Sequence, residues 1–418
     1  MSISRQVLAS LLILAALFAI LQPQLAVAQV VDDSENTNLN LRKIIVCADD
    51  TSDSERDSAL AQFKTKAFKR LNHVGRIDVA NLTDEQANEL KAKNKKIVRI
   101  DNDAIATAVG EVESLSRFNR VTNQARVVSQ AQTLPWGVEK INADDTWSSV
   151  SGAGIKVGII DTGINVGHPD LVGQVKGGYN TINPRRSYTD DNGHGSHVAG
   201  IVAATSNSFG VVGVAPKAQL YSIKVLDRHG SGYVSDIIEG IDYAIGQRLH
   251  VINMSLGLTQ DIPSLRDAVI RAKNAGIVQV AAAGNSGGSV IYPAAYAEVI
   301  AVGATDSLDR IANFSSRGPA VDIAAPGVSI VSTHLYTNYA TYSGTSMATP
   351  HVAGVAALLL SAPGKCQYLL DSIAGCSTTE VQTRLENTAR QSSYDTTSGK
   401  DSIFGSGIVD AYQAVIAQ

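Results

Sequence analysis

Three short stretches of this sequence carry side chains that could act together in acid–base and nucleophilic chemistry. Asp161 ends the apolar run "KVGIID", His194 lies in the glycine-flanked turn "DNGHG", and Ser346 precedes a long apolar helical segment in "YSGTSMATPHVAG". A serine hydroxyl becomes a nucleophile when an imidazole removes its proton, and a carboxylate on the other ring nitrogen fixes the tautomer. The three residue types therefore supply a nucleophile, a base and an orienting acid.

The start of the helix that carries Ser346 offers a second chemical feature. Backbone N–H groups in the first turn of a helix have no partner within the helix and can stabilise a developing oxyanion. We expect Pro350 to lie within this first turn, where its missing N–H is harmless. Asn285, which follows the apolar run "VQVAAAG", could donate a further hydrogen bond from its amide.

Two histidines lie three positions apart in "DNGHGSHVAG". A metal site built on this pair would need further ligands, and its neighbours in the motif supply none. His194 on the turn can reach Ser346 with one ring nitrogen and Asp161 with the other. His197 falls inside the following helix, where we expect a partly buried structural histidine.

The elements that would position these residues alternate in type along the chain. Short apolar runs rich in Val and Ile occur at "KVGIID", "AQLYSIKVL", "HVINMSLG", "VQVAAAG" and "VIAVGAT". Helical spacing separates several of them, as in "YVSDIIEGIDYAIG", whose apolar residues form one stripe. This pattern predicts an α/β fold, with a mostly parallel, doubly wound sheet covered by helices on both faces. Ligands of such sheets bind beyond the carboxyl ends of the strands, where the candidate residues fall.

A smaller unit with a different composition precedes residue 130. The patterns predict strands at 43–47, 73–82 and 96–103, a helix at 54–68, and a second helix at 83–93 that opens with a Thr-x-x-Gln capping box. Strands and helices alternating over so short a segment indicate a small α+β domain, which we place at residues 43–109. Residues 110–130 are polar and without clear periodicity, and we interpret them as a linker.

The N-terminus and the overall composition indicate an exported protein. Arg5, the apolar run "VLASLLILAALFAIL" and the small residues Ala26 and Ala28 predict a signal peptide over residues 1–28, with an uncleaved membrane anchor as the alternative. Residues 29–42 form a short lead segment. A net charge of −4 is too small to favour a nucleic-acid or membrane-surface partner, and we expect no membrane association after cleavage.

The motifs together resemble those of the subtilisin family. The resemblance rests on "VGIIDTGINVGHPDL", "DNGHGSHVAGIVAA", "INMSLG", "VAAAGN" and "YSGTSMATPHVAG", in the order Asp, His, Ser that is known for subtilisin, and it covers nearly all of residues 131–418. It implies a secreted, calcium-stabilised serine endopeptidase, active as a monomer, without a catalytic cofactor and with a broad, apolar preference. It assigns Asp161, His194 and Ser346 to the catalytic triad and Asn285 to the oxyanion hole.

The resemblance also implies a role for the first domain. In the family a ferredoxin-like propeptide acts as an intramolecular chaperone and inhibitor and is then removed by self-cleavage. Residues 43–109 correspond to it, and the mature start aligns near "AQTLPWGV". We therefore predict cleavage close to the Gln130–Ala131 bond, which would release a peptidase domain of residues 131–418.

Family members bind the substrate as an extended strand between two segments of the protein. A branched Ile291 stands where the family often has glycine at the floor of the first specificity pocket, and it should favour medium-sized apolar residues over Phe or Tyr. Val234, Ile237 and Leu256 indicate a second, apolar pocket. The substrate-binding residues implied are Gly230, Ser231, Gly232, Ser255, Leu256, Gly257, Ala282, Ala283, Gly284 and Ile291.

A structural calcium site is implied by the polar insertion in "ATSNSFGVVGVAP". Calcium takes six or more oxygen ligands, several of them backbone carbonyls from a rigid loop. Because Gln132 lies at the mature N-terminus, we expect this site to close only after cleavage frees that terminus. The implied ligands are the side chains of Gln132, Asp170 and Asn207 and the carbonyls of Thr205, Phe209 and Val211.

Three cysteines occur in the chain. In an exported protein, Cys366 and Cys376 could form a disulfide that closes a small loop, whereas Cys47 has no obvious partner. The alternative is that all three are free thiols.

Two other classes of function fit parts of the sequence. The motif "IIDTG" also occurs in aspartic proteases, which pair two such carboxylates, but it occurs here only once. A non-catalytic binding module on the same fold is the second alternative. The triad is complete in the sequence, which favours the enzyme.

Overall fold

The computed structural model describes residues 41–116, 131–364, 376–395 and 399–416. The predicted signal peptide, nearly all of the lead segment and the second part of the predicted linker lie outside these residues. Within the described ranges, no helix is both long and apolar enough to cross a membrane.

The first part of the chain, residues 41–110, is called the N-terminal unit below. Its four strands form an antiparallel sheet in the order β2-β3-β1-β4, with two helices between them in a βαββαβ sequence. The elements are β1 (Arg42–Cys47), α1 (Asp53–Ala61), β2 (Lys69–Leu71), β3 (Arg76–Asn81), α2 (Asp84–Lys93) and β4 (Ile97–Asn102).

Local signals set the boundaries of the two helices in this unit. The predicted capping box is present at Thr83, which accepts from the Gln86 backbone N–H while the Gln86 side chain accepts from the Thr83 N–H. The first helix was predicted to extend to residue 68 but ends at Ala61. The residues beyond it instead form β2, because Lys69–Leu71 pairs with β3. This tertiary pairing overrides the local helical pattern.

Two short strands follow the N-terminal sheet. They are β5 (Ile105–Ala108) and β6 (Glu111–Ser116), and both pair antiparallel with strands far away in sequence. We predicted a linker without regular structure from residue 110 onward, and its first six residues after Gly110 are in fact strand β6. The absence of periodicity did not indicate this strand, because it pairs through its main chain with β17, and main-chain hydrogen bonds leave no pattern in the sequence.

The larger part of the chain is built on a seven-stranded parallel sheet, as predicted. Its spatial order is β15-β14-β13-β11-β7-β9-β8, and every neighbouring pair is parallel. The strands are β7 (Lys156–Asp161), β8 (Val175–Asn180), β9 (Gln219–Lys224), β11 (Val251–Met254), β13 (Val278–Ala282), β14 (Ile300–Thr305) and β15 (Ile323–Pro326).

Helices cover both faces of this sheet. On one face, α4 (His194–Ala203) and α7 (Thr345–Ser361) share a core with Val157 and Ile159. On the other face, α5 (Val234–Gly246) and α6 (Pro263–Asn274) share a core with Ile160. Successive strand residues point to opposite faces, so one strand contributes to both cores. The remaining helices are α3 (Trp136–Lys140), a 3₁₀ turn at Asp144–Thr146, α8 (Thr378–Asn387) and α9 (Ala411–Val415).

Two small antiparallel sheets lie beside the large one. The first places β5 between β10 (Ser231–Tyr233) and β12 (Leu256–Gly257). The second has the order β16-β17-β6, with β16 at Ile330–Thr333 and β17 at Tyr339–Ser343. Through these sheets, β5 and β6 lie against segments that approach the carboxyl ends of the parallel strands.

Candidate active site

The carboxylate and the imidazole that the sequence singled out are in direct contact. Asp161 is the last residue of β7, and its Oδ1 lies 2.8 Å from Nδ1 of His194, the first residue of α4. The same oxygen accepts a 2.7 Å hydrogen bond from the Thr162 backbone N–H. Asp161 is fully buried and His194 is nearly so. Burial strengthens the electrostatic interaction between the two groups because water is excluded.

The turn before His194 is held by a buried carboxylate that the sequence reasoning missed. Asp190 accepts hydrogen bonds from the backbone N–H groups of Asn192, Gly193 and Ser196. Gly193 has φ of +113°, a backbone conformation that disfavours any residue with a Cβ. The acidic residue four positions before the histidine was the available signal. It fixes the point at which α4 begins, and thereby the position of His194.

The environment of His194 favours its protonated form. Burial lowers its pKa, but the charge and hydrogen bond of Asp161, helped by the charge of Asp190, raise it more, so that the net pKa is raised above the ordinary 6.5. Nδ1 faces Asp161, whereas Nε2 has no hydrogen-bond partner among the described residues. Asp161 therefore orients the imidazole with Nε2 unpaired, and this nitrogen can act as a general base when the ring is neutral.

Ser346 is the second residue of α7 and is completely buried. Its hydroxyl donates a 2.9 Å hydrogen bond to the Ser255 carbonyl and not to His194. Residue 110 lies against the imidazole instead, since a Cβ on Gly110 would be 3.3 Å from His194 Nε2. Catalytic hydrogen bonds are often absent before the reacting complex forms, and a rotation of the serine side chain is needed here.

Pro350 is placed differently from our expectation. It is the sixth residue of α7 and lies inside the helix, not in the first turn. A proline at this position cannot donate to the carbonyl of Ser346, four residues earlier. That carbonyl accepts a 2.9 Å hydrogen bond from the Ser255 hydroxyl instead. Ser255 thus contacts the serine through both its side chain and its backbone carbonyl, a role that its motif did not reveal.

The amide of Asn285 is oriented by Thr345, another residue that the sequence reasoning missed. Its Oδ1 accepts 2.9 Å hydrogen bonds from both the backbone N–H and the hydroxyl of Thr345. The Nδ2 group then faces Gly344, where an added Cβ would lie 2.9 Å from it. Because Oδ1 is fully engaged, Nδ2 is left to donate, as an oxyanion-hole group must.

An extended stretch of the chain itself lies in the groove beside these residues. Strand β5 pairs with β10 on one side and with β12 on the other, and the Ala108 N–H donates to Gly230 O at 2.8 Å. The next residue continues the pattern, because the Val109 N–H donates to Ser255 O at 3.2 Å and the Val109 carbonyl accepts from the Ser346 N–H at 3.3 Å. The two predicted binding segments, residues 230–232 and 255–257, therefore hold an extended peptide between them.

Ile291 lies beside residues of the predicted substrate-binding set. Its Cδ1 would be 2.4 Å from a Cβ on Gly257, and its Cγ1 would be 3.3 Å from one on Gly284. The side chain thus lies between Gly257 of the predicted binding segment 255–257 and Gly284 of the predicted first pocket. Ala282 and Ala283 are fully buried nearby, and Ile291 N–H donates to Ala283 O at 3.1 Å. In the second predicted pocket, fully buried Ala106 shares a hydrophobic cluster with Val234, Ile237 and Leu256.

Comparison with known proteins agrees with this arrangement. Residues 152–407, more than half of the chain, match the sequence profile described as the Subtilase family. This chain belongs to the subtilase family. It is 46% identical over 289 residues to the thermostable alkaline protease of Halalkalibacterium halodurans, a match that covers 69% of this chain and 75% of that protein.

Two further relatives show how far the similarity extends. The M-protease of Shouchella clausii is 40% identical over 341 residues, which cover 81% of this subtilase and 85% of the relative. Subtilisin Savinase of Lederbergia lenta is 44% identical over 286 residues, which cover 68% of this chain and 99% of the relative.

The second histidine of this subtilase has the environment of a structural residue. His197 is fully buried, its ring stacks on Tyr342 at a centroid distance of 4.4 Å, and Nε2 contacts the carbonyls of Ile330 at 3.0 Å and Ala340 at 3.1 Å. Burial lowers its pKa to about 3, so the ring is neutral. The two carbonyls anchor α4 to β16 and β17.

The residues of the predicted calcium site meet at one loop. Gln132 Nε2 contacts three oxygens, the carbonyls of Thr205 at 2.8 Å and Val211 at 3.0 Å and the Asn207 Oδ1 at 3.3 Å. Asp170, fully buried, accepts from Asn207 Nδ2 at 2.8 Å. Phe209 contacts the group through its N–H, which donates to Asn207 Oδ1 at 2.8 Å.

The donor set fits calcium in its chemistry. Three oxygens converge on the Gln132 amide nitrogen, and the Asp170 carboxylate holds the Asn207 side chain that supplies one of them. Rotating the Gln132 amide by half a turn would present its oxygen there, with loss of the hydrogen bond that this oxygen accepts from the Asn207 N–H. In the described ranges no cluster of three His, Cys, Asp or Glu side chains could hold a metal ion. We expected the site to close only after cleavage, but Gln132 already contacts the carbonyls of this loop in the uncut chain.

The two cysteines that the structure describes differ in their bonding state. Cys47 is a free, buried thiol whose pKa burial raises to about 11. Cys376 is disulfide-bonded, and Cys366, its predicted partner, lies outside the described residues.

Proposed function

We propose that this subtilase is a serine endopeptidase with broad, apolar specificity, exported as a precursor and active as a monomer on protein or peptide substrates. Asp161, His194 and Ser346 form its triad, and Asn285 is the oxyanion donor. The observation that carries the proposal is the peptide in the groove, whose Val109 carbonyl accepts a hydrogen bond from the Ser346 N–H. The bond that follows this carbonyl is presented where a serine nucleophile would attack.

The reaction follows from these positions. The Ser346 hydroxyl turns from the Ser255 carbonyl, passes its proton to His194 Nε2 and attacks the substrate carbonyl. The Ser346 N–H and Asn285 Nδ2 stabilise the oxyanion. His194 then gives the proton to the leaving amine, and water hydrolyses the acyl-enzyme by the same steps in reverse order. No catalytic cofactor takes part.

The N-terminal unit would act as propeptide, inhibitor and folding template. Its apolar face, with Ile44 and Ile77, packs into the same core as α5 and α6. Two of its carboxylates lie at the N-termini of those helices, where Asp103 accepts from the Ser235 N–H at 2.9 Å and Asp101 from the Ser264 N–H at 3.0 Å. Carboxylates at these positions satisfy free N–H groups and interact favourably with the helix dipoles.

Calcium would be held by Gln132, Asp170, Thr205, Asn207, Phe209 and Val211. Bound there, it would supply positive charge that links the segment around Gln132 to the loop after α4. This role is structural, because the loop contributes no group to the triad. Export rests on the signal sequence, and a cell-free culture supernatant that lacks the processed protein would contradict it.

The triad is tested with single substitutions in the full-length chain. His194→Ala and Ser346→Ala should each lower kcat by about 10⁶-fold, the scale known for subtilisin itself. PMSF should inactivate the unmodified protein. Sensitivity to pepstatin with indifference to PMSF would favour the aspartic protease, although Asp161 contacts an imidazole and not a second carboxylate. No hydrolysis by the processed, calcium-loaded protein would favour the binding module.

The calcium proposal is tested by thermal unfolding. A chelator should lower Tm of the unmodified protein and leave Tm of Asp170→Asn nearly unchanged, because that variant has already lost the carboxylate ligand. Asp145→Asn is the control, since Asp145 is exposed and loses the same charge. Equal Tm values with and without chelator in the unmodified protein would overturn the calcium site.

A further inference from the structure

One peptide bond of the chain lies at the catalytic groups, and it is not the bond that family alignment indicates. The Val109 carbonyl oxygen accepts from the Ser346 N–H at 3.3 Å. This oxygen and Asn285 Nδ2 each lie 2.9 Å from the position that a Cβ on Gly344 would occupy, so both flank the same small space. A Cβ on Gly110 would be 3.3 Å from His194 Nε2. The carbonyl thus faces the oxyanion donors and the following residue faces the base.

The pairing on the N-terminal side of this bond fixes its register. Ala106 lies opposite Gly232 in β10, and Ala108 lies opposite Leu256 in β12. Because β10 pairs with residues 105–107 and β12 pairs with residues 107–108, a shift along the groove by one position would break all of these pairings. Val109 is therefore fixed as the residue before the attacked bond.

The side chain of Val109 has the size that we expect the first specificity pocket to accept. Val109 is branched, medium-sized and 8% exposed. A branched Ile291 at the pocket floor should favour a residue of this size over an aromatic ring. The chain thus offers its own active site the kind of residue that the pocket should prefer.

We propose, resting on the proposed function, that the first self-cleavage breaks the Val109–Gly110 bond, 21 residues before Ala131. The Ser346 oxygen attacks the Val109 carbonyl carbon, and its proton passes to His194. The bond to the Gly110 nitrogen then breaks, and that nitrogen takes the proton as it leaves. Water hydrolyses the Val109 ester, which restores Ser346 and leaves a carboxylate on Val109. The product of this first cut begins with Gly110.

The uncut chain needs no large rearrangement for this cut, because the segments on both sides of the Val109–Gly110 bond are already paired with strands of the catalytic part. After the bond, β6 pairs with β17, with Glu111 opposite Ser343 and Leu115 opposite Ala340. Further along, Gln132 is already docked in the candidate calcium loop. Residues 110–130 connect the two positions, so the loop is assembled before the cut and not as its consequence. Cleavage at Val109 therefore leaves β6 attached to the catalytic part.

The test is a time course of self-processing in the full-length precursor, with N-terminal sequencing of the earliest product. We expect that product to begin with Gly110. Val109→Asp should slow its appearance by about tenfold or more, because a carboxylate in the narrow apolar pocket is unfavourable. Gln130→Asp is the matched control and should leave the rate unchanged. An earliest product that begins at or near Ala131, with no Gly110 species, would overturn the proposal.

A second measurement covers the case in which Val109→Asp does not fold. The processed, unmodified enzyme is given two peptides, IATAVGEVES (residues 105–114) and RVVSQAQTLP (residues 126–135). We expect faster cleavage of the first, between Val and Gly. Faster cleavage of the second between Gln and Ala would contradict the inference while leaving the proposed function intact. Failure to hydrolyse any peptide would contradict the proposed function itself.

Discussion

Replacing Ile291 with glycine should change which residue the enzyme accepts before the scissile bond. The Ile291 side chain lies between Gly257 and Gly284, and a Cβ added to Gly257 would overlap its Cδ1. Its removal opens the floor of the pocket. The main chain should stay in place, because the Ile291 N–H donates to Ala283 O and the next residue, Tyr292, exchanges two hydrogen bonds with Leu258.

The magnitude follows from the apolar area that a larger substrate side chain could then bury. Full burial of a Phe side chain contributes about 1.5–3 kcal/mol relative to exposure. Since 1.4 kcal/mol is about tenfold, the ratio of kcat/KM for Phe over Val should rise by about 10–100-fold. The assay uses two tetrapeptide anilides that differ only in the residue before the scissile bond.

A conservative variant provides the control for this prediction. Ile291→Val removes one methyl group and should shift the ratio by less than about tenfold, since one buried carbon contributes about 0.8 kcal/mol. Both variants should keep a Tm close to that of the unmodified enzyme. If Ile291→Gly folds normally and still prefers Val over Phe by the original ratio, the side chain does not form the floor of the pocket.

Three further predictions concern the catalytic groups and their supports. Thr345→Val should lower kcat by about tenfold with KM unchanged, because Asn285 loses one of the two hydrogen bonds that orient its amide. Asn285→Ala should lower kcat by about 10²–10³-fold, the range known for this donor in subtilisin. Equal losses of kcat in the two variants would contradict the positioning role of Thr345. The acid limb of the kcat/KM profile should lie above pH 6.5, because Asp161 raises the pKa of His194 and the protonated ring cannot accept a proton. Asp161→Asn should move this limb to lower pH. An acid limb that does not move would show that Asp161 does not raise the pKa of His194. His197→Ala should lower the free energy of unfolding by about 2–4 kcal/mol in denaturant titrations and leave kcat within about tenfold of its original value. A large loss of kcat with unchanged stability would assign His197 a catalytic role.

Residues whose role depends on local conformation could be predicted from the sequence. Asp161 ends a Val- and Ile-rich strand and His194 follows a glycine turn, so both fall at one edge of the sheet. The capping box at Thr83 was also predicted, because its hydrogen bonds join residues three positions apart. In each case the deciding interactions lie within a few residues of one another in the chain.

Interactions between distant segments were decided only by the tertiary structure. Strand β6 has no periodic pattern and forms because its main chain meets β17, more than two hundred residues later. The carbonyl left without a partner by Pro350 is satisfied by the hydroxyl of Ser255, which no local signal could indicate. The same holds for the position of Val109 beside Ser346. The sequence by itself therefore determined the catalytic residue types and the parallel sheet, because periodicity and turn chemistry are local. The tertiary structure decided which peptide bond lies at the nucleophile, because that depends on main-chain hydrogen bonds, which every residue type can make.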